Sequence, residues 1–185
     1  MVEETFEGID YTTDSFEIDD YELCTFINCN FSAVDFMKVR FIDCDFQECN
    51  LTNANLNNTS FQNVNFEECK MIGLHFQKCN DFGFSIEIES CQLDHSSFYH
   101  KKLSKMIFFN SKLTGVDFTD CDLSAAGFSN CDLNGAIFQN TNLQKADFRS
   151  AENFTIDPEE NKLKGAKFNL HSLHGLLTKY KIKIE

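Results

Sequence analysis

The chain has 185 residues, of which 29 are Asp or Glu and 16 are Lys or Arg, for a formal net charge of −13. A surface this acidic disfavours direct nucleic-acid binding, which needs a basic face for phosphate, and no apolar run is long enough for a transmembrane helix. One proline and eight glycines leave no room for a disordered linker, so one domain is expected.

The opening residues MVEETFEG are acidic and lack an apolar stretch, so no signal peptide is expected. Residues 1–37 hold ten acidic side chains and no Lys or Arg. From Phe6 a bulky apolar residue recurs at every fifth position through Tyr11, Phe16, Tyr21 and Phe26 to Phe76, fifteen positions without a miss. A period of five is neither the 3.6 of a helix nor the 2 of a strand. It marks one supersecondary unit stacked on itself. The residue two before the bulky one is usually small, as at Cys24, Cys29, Val34 and Val39, so each side of the turn sends one large and one small side chain inward. The residue just before it is often Asp or Asn, as at Asn30, Asp35 and Asp45. Short polar side chains there hydrogen-bond nearby backbone and hold a corner.

Between Phe76 and Ile88 lie twelve steps where ten would keep register, and Asp81 falls on the beat. Residues 77–87 therefore read as a bulge or kink between two half-rods, with Phe82 and Phe84 packing inward. The beat resumes from Ile88 to Phe148. From Leu93 onward Leu and Phe alternate strictly, so identity repeats every ten residues. A four-step turn places residue i on i+20 and gives uniform columns, such as Phe98, Phe118 and Phe138, which pack without voids. Four sides are expected. Lys101 and Lys102 take a small slot and a corner slot of one repeat and read as a solvated side.

Residues 1–150 thus form the repeat rod and 151–185 a C-terminal segment. Asn153 and Pro158 fall on the beat and should end the regular coils; Leu163 and Phe168 restore it briefly. Leu170, Leu173, Leu176 and Leu177 share one helical face near 170–180. A helix there would cap the last coil, and its leucines are the candidate dimer interface.

The segments CDLSAAGFSNCDLNGAIFQNTNLQKADF (Cys121 to Phe148) and CNFSAVDF (Cys29 to Phe36) resemble the pentapeptide repeat family. The resemblance implies an all-β fold, a right-handed quadrilateral β-helix of about seven coils with a short C-terminal capping helix. At a ladder spacing of about 4.8 Å the rod would be about 34 Å long. The ending IDP…N.LKGAKF…GLL is similar to that of the quinolone-resistance (Qnr-type) and microcin-immunity branch. That likeness implies a homodimer joined end to end at the C-terminus; the final KIKIE is expected to add a short strand across the interface. It also implies a DNA mimic that binds DNA gyrase or topoisomerase IV and either modulates it or protects it from quinolones. The long projecting loops of some quinolone-protecting members are absent between Ile88 and Phe148. The alternative is a scaffold for an unidentified protein partner.

No catalytic site is expected. There is no phosphate loop, GxSxG or HExxH, and a convex ladder of coils offers no concave pocket. All nine cysteines occupy slots two before a beat position, none in CxxC spacing, and read as small core residues. Free thiols in this number suit a reducing cytoplasm. His171 and His174 lie three apart without a third ligand, so neither metal nor cofactor is expected. The candidate partner-binding residues are carboxylates: Asp35, Asp117 and Asp147 in corner slots, and Glu48, Glu68 and Asp120 in variable outward slots. A continuous acidic stripe on one face would favour mimicry; scatter over all faces would favour the scaffold.

Overall fold

The computed structural model describes residues 1–183. The bulky residue of nearly every repeat either sits in a short strand or directly follows an isolated bridge at the preceding residue, and most of these bulky side chains are buried. Pairing is parallel with a register of twenty residues, as in Thr25↔Asp45 and Phe26↔Phe46. A beat of five and a register of twenty close each coil in four steps. The first face, through Phe6, Phe26, Phe46, Phe66, Ile88, Phe108, Phe128, Phe148 and Phe168, is a nine-stranded sheet. The fourth carries a three-stranded sheet through Tyr21, Phe41 and Phe61. Isolated bridges hold the second and third faces, as in Asn30↔Asn50 and Ser97↔Asp117.

The core is a set of aromatic columns. Phe26 stacks on Phe46 with ring centroids 4.7 Å apart and planes at 18°, and Phe98 stacks on Phe118 at 5.6 Å and 8°. Rings on adjoining faces meet edge to face, as Phe108 and Phe118 do at 76°, the two geometries that the ring quadrupole favours. The small inward slot also hydrogen-bonds: the Cys49 thiol donates to the Phe26 carbonyl at 3.4 Å and the Thr59 hydroxyl to that of Phe36 at 2.8 Å. All nine cysteines are free and buried.

Corners form two residues after each bulky one, where the backbone turns left-handed at Asn53 (φ 57°), Glu68 (φ 53°) and Asp120 (φ 58°). The Asp or Asn preceding the bulky residue braces the turn. Asp35 Oδ1 accepts the Met37 N–H at 3.0 Å and Asp117 Oδ1 that of Thr119 at 2.9 Å, the local bonding expected of these side chains.

The two-residue insertion appears as a change of register. Phe41 pairs Phe61 twenty residues on, whereas Phe66 pairs Ile88 twenty-two on. Two expectations are corrected here. Phe82 does not pack inward but is 81 % exposed, while Phe84 packs partly against the core. Lys101 is not on a solvated side: it is buried. Its ammonium donates to the Cys79 carbonyl at 2.9 Å and to Asp81, and lies 4.7 Å from the centre of the Phe84 ring. Asp81 cannot fill the bulky slot it occupies. The lysine one coil later enters through the small slot, its stem apolar and its head paired.

Pairing continues past Phe148. Glu152 bridges Asp132, Lys162 bridges Asn142, and Lys167–Phe168 pairs with Asp147–Phe148. Nine strands on one face make eight coils, one more than the pattern implied, because Phe154 and Ile156 enter the core where Asn153 and Pro158 cannot. The C-terminal helix is of 3-10 type, Leu170–Leu176 and then Thr178–Tyr180, capped by Asn169, which accepts the His171 N–H. It closes on the last coil through Gly175, whose carbonyl accepts the Ile156 N–H at 3.0 Å. A Cβ on that glycine would lie 2.3 Å from the Phe154 carbonyl oxygen. Leu176 packs on the core, Leu173 and Leu177 are half-buried, and Leu170 points outward, 78 % exposed. Lys181–Lys183 form no strand, and the rest of the expected KIKIE strand, residues 184–185, lies outside the described residues.

Candidate interaction surface

Outward side chains of one face recur every twenty residues, plus two across the insertion, so surface chemistry is set by face rather than by slot. On the first face, Asp45, Glu48, Glu67, Glu68, Glu87 and Glu89 come together over three consecutive coils. Glu67 and Glu89 are direct ladder partners. All but the half-buried Asp45 are exposed. None of the six is in an ion pair among the described residues. Asp45 accepts a bond of 2.8 Å from the Asn65 amide, which holds its carboxylate in the ladder.

The six carboxylates singled out from sequence do not form one patch. Glu48 and Glu68 lie side by side within the acidic patch. Asp147 shares their face, but coils away, and pairs with Arg149 at 2.7 Å; that guanidinium and Lys167 hold its carboxyl below the usual range. Asp35, Asp117 and Asp120 lie on the third face, where the first two brace turns and Asp35 also accepts from Asn55 at 2.8 Å. Slot reasoning missed Asp45, Glu67, Glu87 and Glu89. The signal that finds them is the twenty-residue register with its two-residue offset, applied to outward positions.

Beyond Glu89 the first face changes character. The next coil presents Ile107 and Phe109, 54 % and 40 % exposed. Beside them opens a cavity of about 500 Å³ lined by Phe84, Glu87, Lys102, Lys105 and Met106 among others. The expectation of a rod without concavity is thus corrected: one coil beyond the insertion the convex surface is broken. The fourth face is mainly acidic at one end, with Glu3, Asp20, Glu22 and Asp43 beside Arg40, and mainly basic at the other, with Lys102, Lys105, Lys145, Lys162 and Lys164 beside Asp122.

Among the described residues no three His, Cys, Asp or Glu side chains are grouped to hold a metal, and no helix is long and apolar enough to cross a membrane. What remains is a rigid four-sided β-solenoid bearing a discrete acidic patch, the architecture of a repeat rod. Residues 20–98 and 84–152 match the family model of the pentapeptide repeat region; the chain belongs to the pentapeptide repeat family. Among solved structures it is similar to a trypsin-treated variant of QnrB1, a plasmid-mediated fluoroquinolone resistance protein, at 18 % identity and a TM-score of 0.66, covering 100 % of this chain and 99 % of that one. A second trypsin-treated QnrB1 variant gives 20 % identity and a TM-score of 0.61, covering 100 % and 91 %. At these identities the likeness is one of fold. A search of curated proteins finds no significant match.

Proposed function

We propose that this protein is a non-catalytic interaction rod that places its first-face carboxylates in a basic groove of a protein partner. The partner we favour is DNA gyrase or topoisomerase IV, where the rod would compete with DNA. The observation that carries this reading is the patch of unpaired carboxylates from Asp45 to Glu89. Six charges over three coils, about 14 Å of axis, amount to one per about 2.4 Å, against one per about 1.7 Å along duplex DNA. Such a patch steers a basic partner and adds salt dependence to binding. Glu48 and Glu68 take part in it; Asp35, Asp117, Asp120 and Asp147 act as turn braces and ion-pair partners or lie on another face. Leu170, Leu173, Leu176 and Leu177 would join two copies end to end, the outward Leu170 contributing most. Nine free buried thiols suit a reducing, cytoplasmic setting.

The second reading, a scaffold for a different basic protein, is favoured by the patch's limited length: it ends at Ile107 and Phe109 instead of running the whole rod. One assay separates the two. Gyrase supercoiling of relaxed plasmid is followed against rising rod concentration, with and without a fluoroquinolone, at low and moderate salt. Salt-sensitive inhibition or rescue from the drug, weakened in Glu67→Gln/Glu68→Gln, is the expected result. No effect at tens of micromolar would remove the topoisomerase and leave the scaffold.

A further inference from the structure

The cavity beside the acidic patch originates in the ladder. The strand Ile86–Glu89 pairs along its whole length with Val64–Glu67. With the following strand, Ile107–Phe109, it pairs only from Ile88↔Phe108 onward. Glu87 and Ile107, which the register would place opposite each other, do not pair with each other, although Glu87 pairs with Asn65 and Ile107 with Gly127. The mouth between them is the cavity of about 500 Å³, within the range of about 300–1,000 Å³ that suits bound side chains and small ligands. Its wall is apolar at Phe84 and Met106, and Ile107 and Phe109 form an exposed apolar rim. Glu87 and Glu89 stand on one side and Lys102 and Lys105 on the other. Opposite charges therefore line one small cavity, yet among the described residues none of the four makes an ion pair.

We propose that this groove docks an extended segment of a partner protein in which a bulky apolar side chain follows a basic one. The apolar side chain covers Ile107 and Phe109 and enters toward Phe84 and Met106. The basic one sits against Glu87 and Glu89, where the acidic patch continues, and an acidic side chain or a carbonyl faces Lys102 and Lys105. A bulky side chain anchored in a desolvated pocket is the usual form of an interface hot spot. The inference rests on the acidic-patch reading for the basic residue alone and is independent of whether the partner is a topoisomerase.

The test uses two fluorescein-labelled, terminally blocked peptides, Gly-Arg-Leu-Phe-Asp-Gly and Gly-Arg-Ala-Ala-Asp-Gly, titrated with the full chain by fluorescence anisotropy. The Leu-Phe peptide should bind about tenfold more tightly, a difference of about 1.4 kcal/mol. Ile107→Ser/Phe109→Ser, which alters only exposed side chains, should abolish that preference. Glu48→Gln/Glu68→Gln should weaken both peptides equally and keep it. Equal affinity for the two peptides, or a preference that survives the serine variant, overturns the proposal. Methyl NMR of the unmodified chain gives a readout that needs no variant: Met106 and Ile107 signals should shift with the Leu-Phe peptide, and shifts confined to other regions also overturn it. Because the peptide assays contain no enzyme, a failed gyrase assay leaves their outcome unaffected.

Discussion

Neutralising Glu89 should stabilise the rod while weakening its partner binding. Glu67 and Glu89 are ladder partners on the first face, both exposed, on strands about 4.8 Å apart. Two like charges at that distance repel by about 0.9 kcal/mol in a water-like dielectric, more near a protein surface and less with salt. Like charges directly opposite in a sheet typically cost about 0.2–1 kcal/mol. Glu89→Gln should therefore raise stability by about 0.5 kcal/mol, and for a chain of this size Tm by about 1–2 °C. Half or more of that gain should vanish at about 0.5 M salt, where the Debye length shrinks to about 4 Å. In the double variant Glu67→Gln/Glu89→Gln the gains should fall short of additive, because either substitution alone relieves the pair. Thermal unfolding by circular dichroism at two salt concentrations reads all of this. A lower Tm for Glu89→Gln at low salt, or strict additivity, would refute the argument that this face retains an electrostatic cost in order to be available to a partner.

Lys101→Ala should cost about 2–4 kcal/mol, since it opens a cavity and leaves the Cys79 carbonyl without its donor; Lys101→Met, which keeps the stem and removes the charge, should recover more than half of that loss in urea unfolding. No cysteine should react with a thiol reagent in the native state at neutral pH, whereas all nine should react once the chain is unfolded. Burial pushes the Cys44 and Cys131 thiols up to about 11 and those of Cys79 and Cys121 up to about 12, far from the reactive thiolate. The C-terminal turns should loosen in acid. Lys179 pairs with Asp157 and Glu159 at 2.7 Å and holds both carboxyls below their ordinary 3.8 and 4.5. A lowered carboxyl contributes its tether fully above its ordinary value and loses it as pH falls through the lowered one. Proteolysis after Lys179 should accelerate below about pH 4, measured with an acid-tolerant protease; a rate that does not change with acidification would count against the tether.

The fold was legible because two periods nest. The beat of five places the core, and the strict Leu–Phe alternation from Leu93 to Phe148 fixes four sides; the stacked rings of Phe98, Phe118 and Phe138 follow. The insertion was legible as a count. Its repair was not, because Asp81 and Lys101 each break the pattern alone and become a pair only when laid one coil apart. The candidate carboxylates follow slots, and slots recur on all four faces; Asp35 and Glu48 share a chemistry but not a direction. The groove lay furthest from sight. It depends on a single position, Glu87 against Ile107, where two strands fail to close, and no periodicity records that.

Because each coil repeats the four faces of the one before it, the rod is also a ruler. Five coil steps separate the Glu67 strand from the last strand at Lys167–Phe168, about 24 Å at about 4.8 Å each. Deleting or duplicating a block of twenty residues anywhere between them would change that span by one graduation without turning any side chain to a new direction. A partner that grips both the acidic patch and the C-terminal end would thus measure the distance between them in whole coils, and length variants of this chain would select among partners by reach alone.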